Sequence, residues 1–280
     1  MIQKVSVHGG HSASYCFHAK DALEDIILTY IKAGYSWVGI TEHMPPISDK
    51  WIYSFERPFG WNAIRMKDSF RRYGDRLHYL KEKYRNDIEI LVAFETEWYE
   101  GCLEAIEYWI HAIKPDYIVG SVHHMAGIEM DTSPKTYGQC ISAYGSKQAL
   151  YCAYFDAQYA LMEAFNPSVI GHMDLVRIFD AEYKKTLLLP DVWERIERNL
   201  AYVKQHNLIL DFNLRALVKG QPEPYISLPI LNKAIEMDVA VVPGDDSHGI
   251  GGVGNYWEKG IEILSANKAR LNWNKPNAIL

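Results

Sequence analysis

The sequence predicts an α/β protein with a mainly parallel sheet, and three observations point to it. Seven short apolar runs alternate with amphipathic stretches of helical period. The 280 residues are 48% hydrophobic, enough for a full core, and no long Pro-, Gly- or Ser-rich linker divides them, so residues 1–280 read as one domain. Every apolar run ends in polar, metal-competent residues, which is the arrangement of a β/α barrel whose strand ends share one face.

The predicted strands are, in order, KVSV (4–7), WVGI (37–40), IEILVAF (88–94), DYIVGSV (116–122), PSVIG (167–171), LILDF (208–212) and VAVV (239–242). The helical stretches between them are DALEDIILTYIKAG, SKQALYCAYFDAQYALMEAF, DVWERIERNLAYVKQH and SLPILNKAIEMD. Asp21 and Asp191 suit helix N-caps, and Gly34 suits the position just past a helix end.

Composition excludes several classes. The net charge of −6 and the lack of a basic patch argue against a nucleic-acid partner; FRRYGDRLHYLKEKYR is mixed in sign and reads as a solvated helix face. MIQKVSVHGGHS does not read as a signal peptide, and no apolar stretch approaches about 18 residues, so no membrane span is expected. The four cysteines are scattered without a C-x-x-C, which suits free thiols in a reducing cytoplasm. Cys16 reads as a small buried hydrophobe.

The strand ends carry the chemistry. In chain order they deliver His8, His11 and His18; His43; Glu95 and Glu97; His123 and His124; His172 and Asp174; Asn213 and Arg215; and Asp245, Asp246 and His248. One histidine after a strand is an ordinary loop residue, and Glu97 or Asp174 alone fits a cap or a salt bridge. The joint pattern is informative: of 11 histidines, only His78, His111 and His206 lie in helical stretches, and the remaining eight follow strand ends. Imidazoles with a few carboxylates and no thiolate set suit Zn, Fe or Mn. So many donors exceed the needs of one ion and imply two or three divalent ions. Close-set ions lower the pKa of a bound water and clamp the oxygens of an in-line displacement at phosphorus.

The ordered motifs, a His pair then FHA, ITEH, AFETEW, GSVHH, IGHMD and GDDSH, resemble the PHP (polymerase and histidinol phosphatase) domain. The text YIKAGYSWVGITEHMPP, PSVIGHMDLVR and LDFNLRALVKG is similar to the histidinol-phosphatase branch. The resemblance implies a distorted seven-stranded, TIM-like barrel with a metal site at the C-terminal ends of the strands. It implies His11, His18, His43, Glu95, His123, His172, Asp246 and His248 as ligands, with Glu95 bridging. The family opens with H-x-H, whereas His8-Gly9-Gly10-His11 is H-x-x-H; a bulge at the glycine pair, with positive φ, would let His8 ligate as well. The family also implies a phosphate anchor at Arg177 and an acid and Asn on strand six, here Asp211 and Asn213. Arg215, just past its strand end, is a second candidate phosphate contact. Asn213 and His124 are further candidate substrate contacts, His124 from behind the ligands because the family has an apolar or aromatic residue there, and Arg177, Asp246 and His248 are the candidate catalytic set. GIGGVG (249–254) matches a dinucleotide expression, but DDSH separates it from its strand and the chain then nearly ends, so it reads as a loop.

The expected activity is a metal-dependent phosphomonoesterase in which hydroxide generated on the ions attacks phosphorus and an alcohol leaves. By resemblance the small phosphorylated metabolite is L-histidinol phosphate, as in histidine biosynthesis. The alternatives are a phosphoesterase for another small substrate, such as a sugar or nucleotide phosphate, or a barrel that binds metal without turnover.

Overall fold

The computed structural model describes residues 2–279. Its strands are β1 (Lys4–Ser6), β2 (Tyr35–His43), β3 (Glu89–Glu97), β4 (Tyr117–Ser121), a small antiparallel hairpin of β5 (His124–Met125) and β6 (Ile128–Glu129), then β7 (Val169–Ile170), β8 (Ile209–Asn213) and β9 (Ala240–Gly244). All seven predicted strands are present. They form one parallel sheet in the order β1-β2-β3-β4-β7-β8-β9. Its two edges meet: Val7 N donates to Pro243 O (2.9 Å), Asp246 N to His8 O (2.8 Å) and His11 N to Ser247 O (2.7 Å). These bonds nearly close the sheet into a barrel and draw the first and last motifs together.

The helices cover the barrel. They are α1 (Leu23–Lys32), α2 (Ala63–Lys83), α3 (Cys102–Ile113), α4 (Pro134–Tyr144), α5 (Lys147–Phe165), α6 (Tyr183–Leu187), α7 (Pro190–Gln205), α8 (Arg215–Val218), α9 (Leu228–Glu236) and α10 (Trp257–Ala266). Local signals set several ends. Asn62 accepts from Arg65 N at 2.9 Å at the start of α2, and Ser146 accepts from Ala149 N at 3.0 Å at the start of α5. Ser133 and Thr136 form a capping box ahead of α4, with Pro134 in its first turn. Gly34 ends α1 with φ 76° and donates to Ile31 O, as expected.

The two aspartate caps are corrected. Ala22 is the N-cap of α1, and Asp21 instead accepts from Ile250 N at 2.8 Å, tying the α1 approach to the GIGGVG loop. Pro190 begins α7, so Asp191 lies inside its first turn and accepts from Gln148. In both places the chain enters the helix in an extended conformation at an apolar residue, and the carboxylate serves a long-range partner.

The barrel interior is filled by Val5, Val7, Ala93, Val119, Val169, Ile209 and Val242. Larger clusters lie between sheet and helices, one under α1 to α3 and one under α4 to α9. Among the described residues no helix is long and apolar enough to cross a membrane. A hollow of about 440 Å³ opens at the N-terminal ends of β8 and β9, but its Lys204 and Arg270 both pair with Asp238, and among the described residues no metal-competent cluster lines it.

Candidate metal centre

The C-terminal strand ends form the mouth of a cavity of about 160 Å³. Strand register places its centre. In the β2–β3 ladder His43 stands opposite Glu95, and His43 Nδ1 lies 2.9 Å from Glu95 Oε2. The other Glu95 oxygen, Oε1, is 3.0 Å from His123 Nε2 and 2.9 Å from His172 Nε2. His8 Nε2 lies 3.6 Å from Glu95 Oε2. Glu95 is therefore ringed by four imidazoles from four strand ends.

Asp246 organises the other side. Its Oδ1 is 3.2 Å from His11 Nε2 and 3.5 Å from His248 Nδ1. The rings of His11 and His43 stack at 4.4 Å, and His18 lies 4.7 Å from His248 and 5.2 Å from His43. Four sets of three donors converge, each set within 4.8 Å: His11, His43 and His248; Cys16, His18 and His43; His8, His11 and Asp246; and His8, Glu95 and His172. All nine expected donors thus face one region. Cys16 is buried as expected, with Sγ 3.3 Å from His18 Nδ1.

The donor set fits divalent transition metals. His8 Nε2, both ring nitrogens of His11 and His172 Nδ1 are buried without a hydrogen-bond partner. Buried polar atoms without partners are costly in a folded protein, and a cation supplies the missing interaction. Protonation agrees. Burial, together with His43, lowers His11 to about 4, and burial holds His18 and His248 well below the ordinary imidazole value. These rings stay neutral with lone pairs free, as ligation requires. Burial alone would raise Glu95, but His43, His8 and His123 outweigh it and hold the carboxyl well below its usual range. Burial would likewise raise Asp246, but His8 and His11 keep it ionised. His172 (φ 26°) and Asp246 (φ 43°) occupy the left-handed region that non-glycine residues avoid, so the surrounding fold holds both in strained backbone at the site.

Several buried groups set ring orientations. Asp211 Oδ2 accepts from His8 Nδ1 at 2.8 Å, which turns Nε2 toward Glu95. Asp131 Oδ2 lies 3.1 Å from His123 Nδ1. Glu42 accepts from both the backbone and the hydroxyl of Ser12 at 2.6 Å, fixing the turn after His11.

His8 reaches the cluster by a different device from the expected one. Gly9 and Gly10 are not among the positive-φ glycines. A methyl at Gly9 would run into Gly39 O and lie 2.8 Å from Val38 Cγ2; one at Gly10 would lie 2.6 Å from Ile26 Cγ2. The extra residue fits because two side-chain-free positions press against β2 and α1, with no left-handed turn.

Three expected substrate contacts are corrected. Arg177 is fully buried and does not line the cavity. Its guanidinium donates to Asp174 Oδ2 (3.1 Å), Gln221 Oε1 (3.2 Å), Glu223 O (2.9 Å) and Pro224 O (2.7 Å), between the rings of Tyr183 and Tyr225. The short 3₁₀ turn Leu175–Arg177 turns it inward, away from the mouth. Asn213 is also buried; its amide donates to Asp211 (2.9 Å) and Asp246 (3.2 Å), so it positions Asp246. His124 bonds Glu97 and lies against the rings of Trp51 and Tyr53, off the cavity wall. The cations that do line the cavity are Arg215 and Lys219, one helical turn later. Arg215 Nε is buried without a partner.

Lys219, Asp131 and Tyr225 were missed by sequence reasoning. The i, i+4 spacing from Arg215 could have found Lys219. Asp131 follows the β5–β6 hairpin, and no local pattern links it to His123.

The chain is similar to known proteins over most of its length. The PHP domain profile matches residues 9–215. A Schizosaccharomyces pombe protein named "Probable histidinol-phosphatase" is 33% identical over 260 residues, 90% of this chain and 83% of its own length. The histidinol-phosphatase of Saccharomyces cerevisiae is 25% identical over 289 residues, 90% of this chain and 85% of its own. Among solved structures, histidinol phosphate phosphatase (HisK) of Lactococcus lactis, complexed with Zn, L-histidinol and phosphate, shares the fold with a TM-score of 0.71 at 16% identity, covering 98% of this chain and 99% of its own. With the profile spanning the strand ends from the first motif to Arg215, and a relative 33% identical over 90% of this chain, the chain belongs to the PHP domain family.

Proposed function

We propose that this chain is a single-domain, metal-dependent phosphomonoesterase that hydrolyses L-histidinol phosphate to L-histidinol and phosphate. The observation that carries this reading is the ring of imidazoles around Glu95 and Asp246, in which His8 Nε2, both His11 nitrogens and His172 Nδ1 are buried without a hydrogen-bond partner, with Arg215 and Lys219 as the cations on the same cavity wall. The relatives' names supply the choice of substrate.

His8, His11, His18, His43, Glu95, His123, His172, Asp246 and His248 would hold two or three divalent ions, Zn, Fe or Mn. When bound, such ions supply Lewis acidity and lower the pKa of water near neutral pH. The chain's own residues do the rest. Glu95 offers one oxygen to each half of the cluster, which suits a bridge. Asp246 and His248 act together, because Asn213 holds the carboxylate and His248 Nδ1 lies 3.0 Å from Asp246 O, which leaves Nε2 for the cavity. Arg215 and Lys219 bind the phosphoryl oxygens, and the guanidinium can do so at two points. The four free cysteines suit a reducing cytoplasm.

The test is phosphate release from a panel of phosphomonoesters with Mn, Zn or Fe present. Histidinol phosphate is expected to give the highest kcat/KM, chelation to abolish activity, and elemental analysis to find more than one ion per chain. A sugar or nucleotide phosphate that exceeds histidinol phosphate tenfold would overturn the substrate. One tightly held ion at most would overturn the multinuclear centre.

A further inference from the structure

A second hollow opens off the same mouth, sharing His18, His43, Tyr53 and Glu95 with the main cavity. Its walls come largely from the segment between β2 and α2. Glu56, Tyr53, Trp51 and Met44 face it, with Met66 of α2 and Glu97 of β3. Glu56 is only 2% exposed, and its Oε2 is buried with no hydrogen-bond partner. No ion pair involves it among the described residues. Glu97 is fixed by His124, which leaves its second carboxylate oxygen free. Neither lysine nor arginine lines this hollow, whereas Arg215 and Lys219 line the main cavity on the other flank. The two hollows therefore differ in cations: Arg215 and Lys219 line the main cavity, and this hollow adds the carboxylates of Glu56 and Glu97 without one.

We propose that Glu56, with Glu97 and the ring of Tyr53 beside it, forms a subsite for the ammonium group of the substrate's leaving alcohol. A buried carboxylate without a partner is costly unless a cation meets it. A ligand carrying phosphate at one end and ammonium at the other satisfies both flanks at once. An aromatic face beside the carboxylate suits a desolvated ammonium. The subsite makes Glu56 a specificity-determining residue, since a neutral ester of the same size leaves the carboxylate unpaired. This inference rests on the phosphomonoesterase reading of the main cavity.

The experiment compares wild type with Glu56→Gln. Kinetics are measured on histidinol phosphate and on its deaminated analogue, 3-(imidazol-4-yl)propyl phosphate, and L-histidinol binding is measured by calorimetry on the metal-loaded protein. A charge-assisted hydrogen bond is worth about 1.5–3 kcal/mol, or roughly 10- to 150-fold. The ratio of kcat/KM for the ammonium ester over its analogue is expected to fall at least tenfold, mostly through KM, and the Kd of L-histidinol to rise at least tenfold. Glu56→Asp, which keeps the charge but withdraws it, should give an intermediate ratio, and thermal melting checks that both variants fold. A ratio within twofold of wild type overturns the subsite. Loss of metal from Glu56→Gln also overturns it, by assigning Glu56 to an ion. If wild type hydrolyses neither ester, the phosphatase reading fails by itself, and the calorimetric comparison still decides whether Glu56 binds an ammonium.

Discussion

A methyl group at Gly9 collides with the backbone of β2, and this one contact explains how an H-x-x-H spacing still delivers His8 to the cluster. Gly9→Ala should therefore lose metal much as His8→Ala does, although its side chain is remote from ligation chemistry. Elemental analysis of the purified variants checks this; a Gly9→Ala protein with full metal content would contradict it. Asp211 acts on the same ring through its 2.8 Å bond to Nδ1. Partners of this kind are worth about 10- to 100-fold in metal affinity. Asp211→Asn should weaken binding by that order, measured by competition with a chelator. Arg215 is different, because its guanidinium faces the cavity with Nε unpaired. Arg215→Ala should lower kcat/KM about 10- to 150-fold, corresponding to one charge-assisted hydrogen bond of about 1.5–3 kcal/mol. A guanidinium cannot ligate a cation, so metal content should not change.

Between elements, the informative link is the one Arg177 makes. It ties the 3₁₀ turn after β7 to the segment 221–227 ahead of α9, with Asp174 accepting from both Arg177 and Ser227 N (2.9 Å). Truncation leaves the buried Asp174 carboxylate without its counter-charge and two backbone carbonyls without their guanidinium donor. Removing one member of a buried charge pair costs about 3–5 kcal/mol. Arg177→Ala should therefore lower the urea midpoint sharply, and the variant that still folds should keep its KM for phosphate esters. A large rise in KM with unaltered stability would return Arg177 to the cavity.

Across the whole molecule, the donors come from strands throughout the chain, so bound ions would join parts of the barrel distant in sequence. Ligands that bind only the native state stabilise it by mass action, about 2.7 kcal/mol at a hundredfold excess over Kd. Chelation should lower Tm, and adding back Zn or Mn should restore it. Calorimetric scans with and without chelator measure this directly; a Tm insensitive to chelation would count against a loaded cluster that spans the barrel.

The sequence by itself determined the seven strands, their alternation with helices, and the side of the barrel on which the donors gather. Strand and helix periods are local, and parallel strands joined by helices must all point the same way, so residues following each strand share one face. The family motifs were legible for that reason. Tertiary structure decided what local pattern leaves degenerate. Arg177 and Arg215 both lie just past strand ends, yet one turns into the core and the other into the mouth, because a 3₁₀ turn and a short helix aim them differently. Asp21 and Asp191 looked like caps, but long-range donors claimed them. Asp131 and Glu56 reach the site from a hairpin and a long loop whose course depends on what they pack against. Where a side chain's partner lies dozens of residues away, no period encodes the contact, and only the closed barrel specifies it.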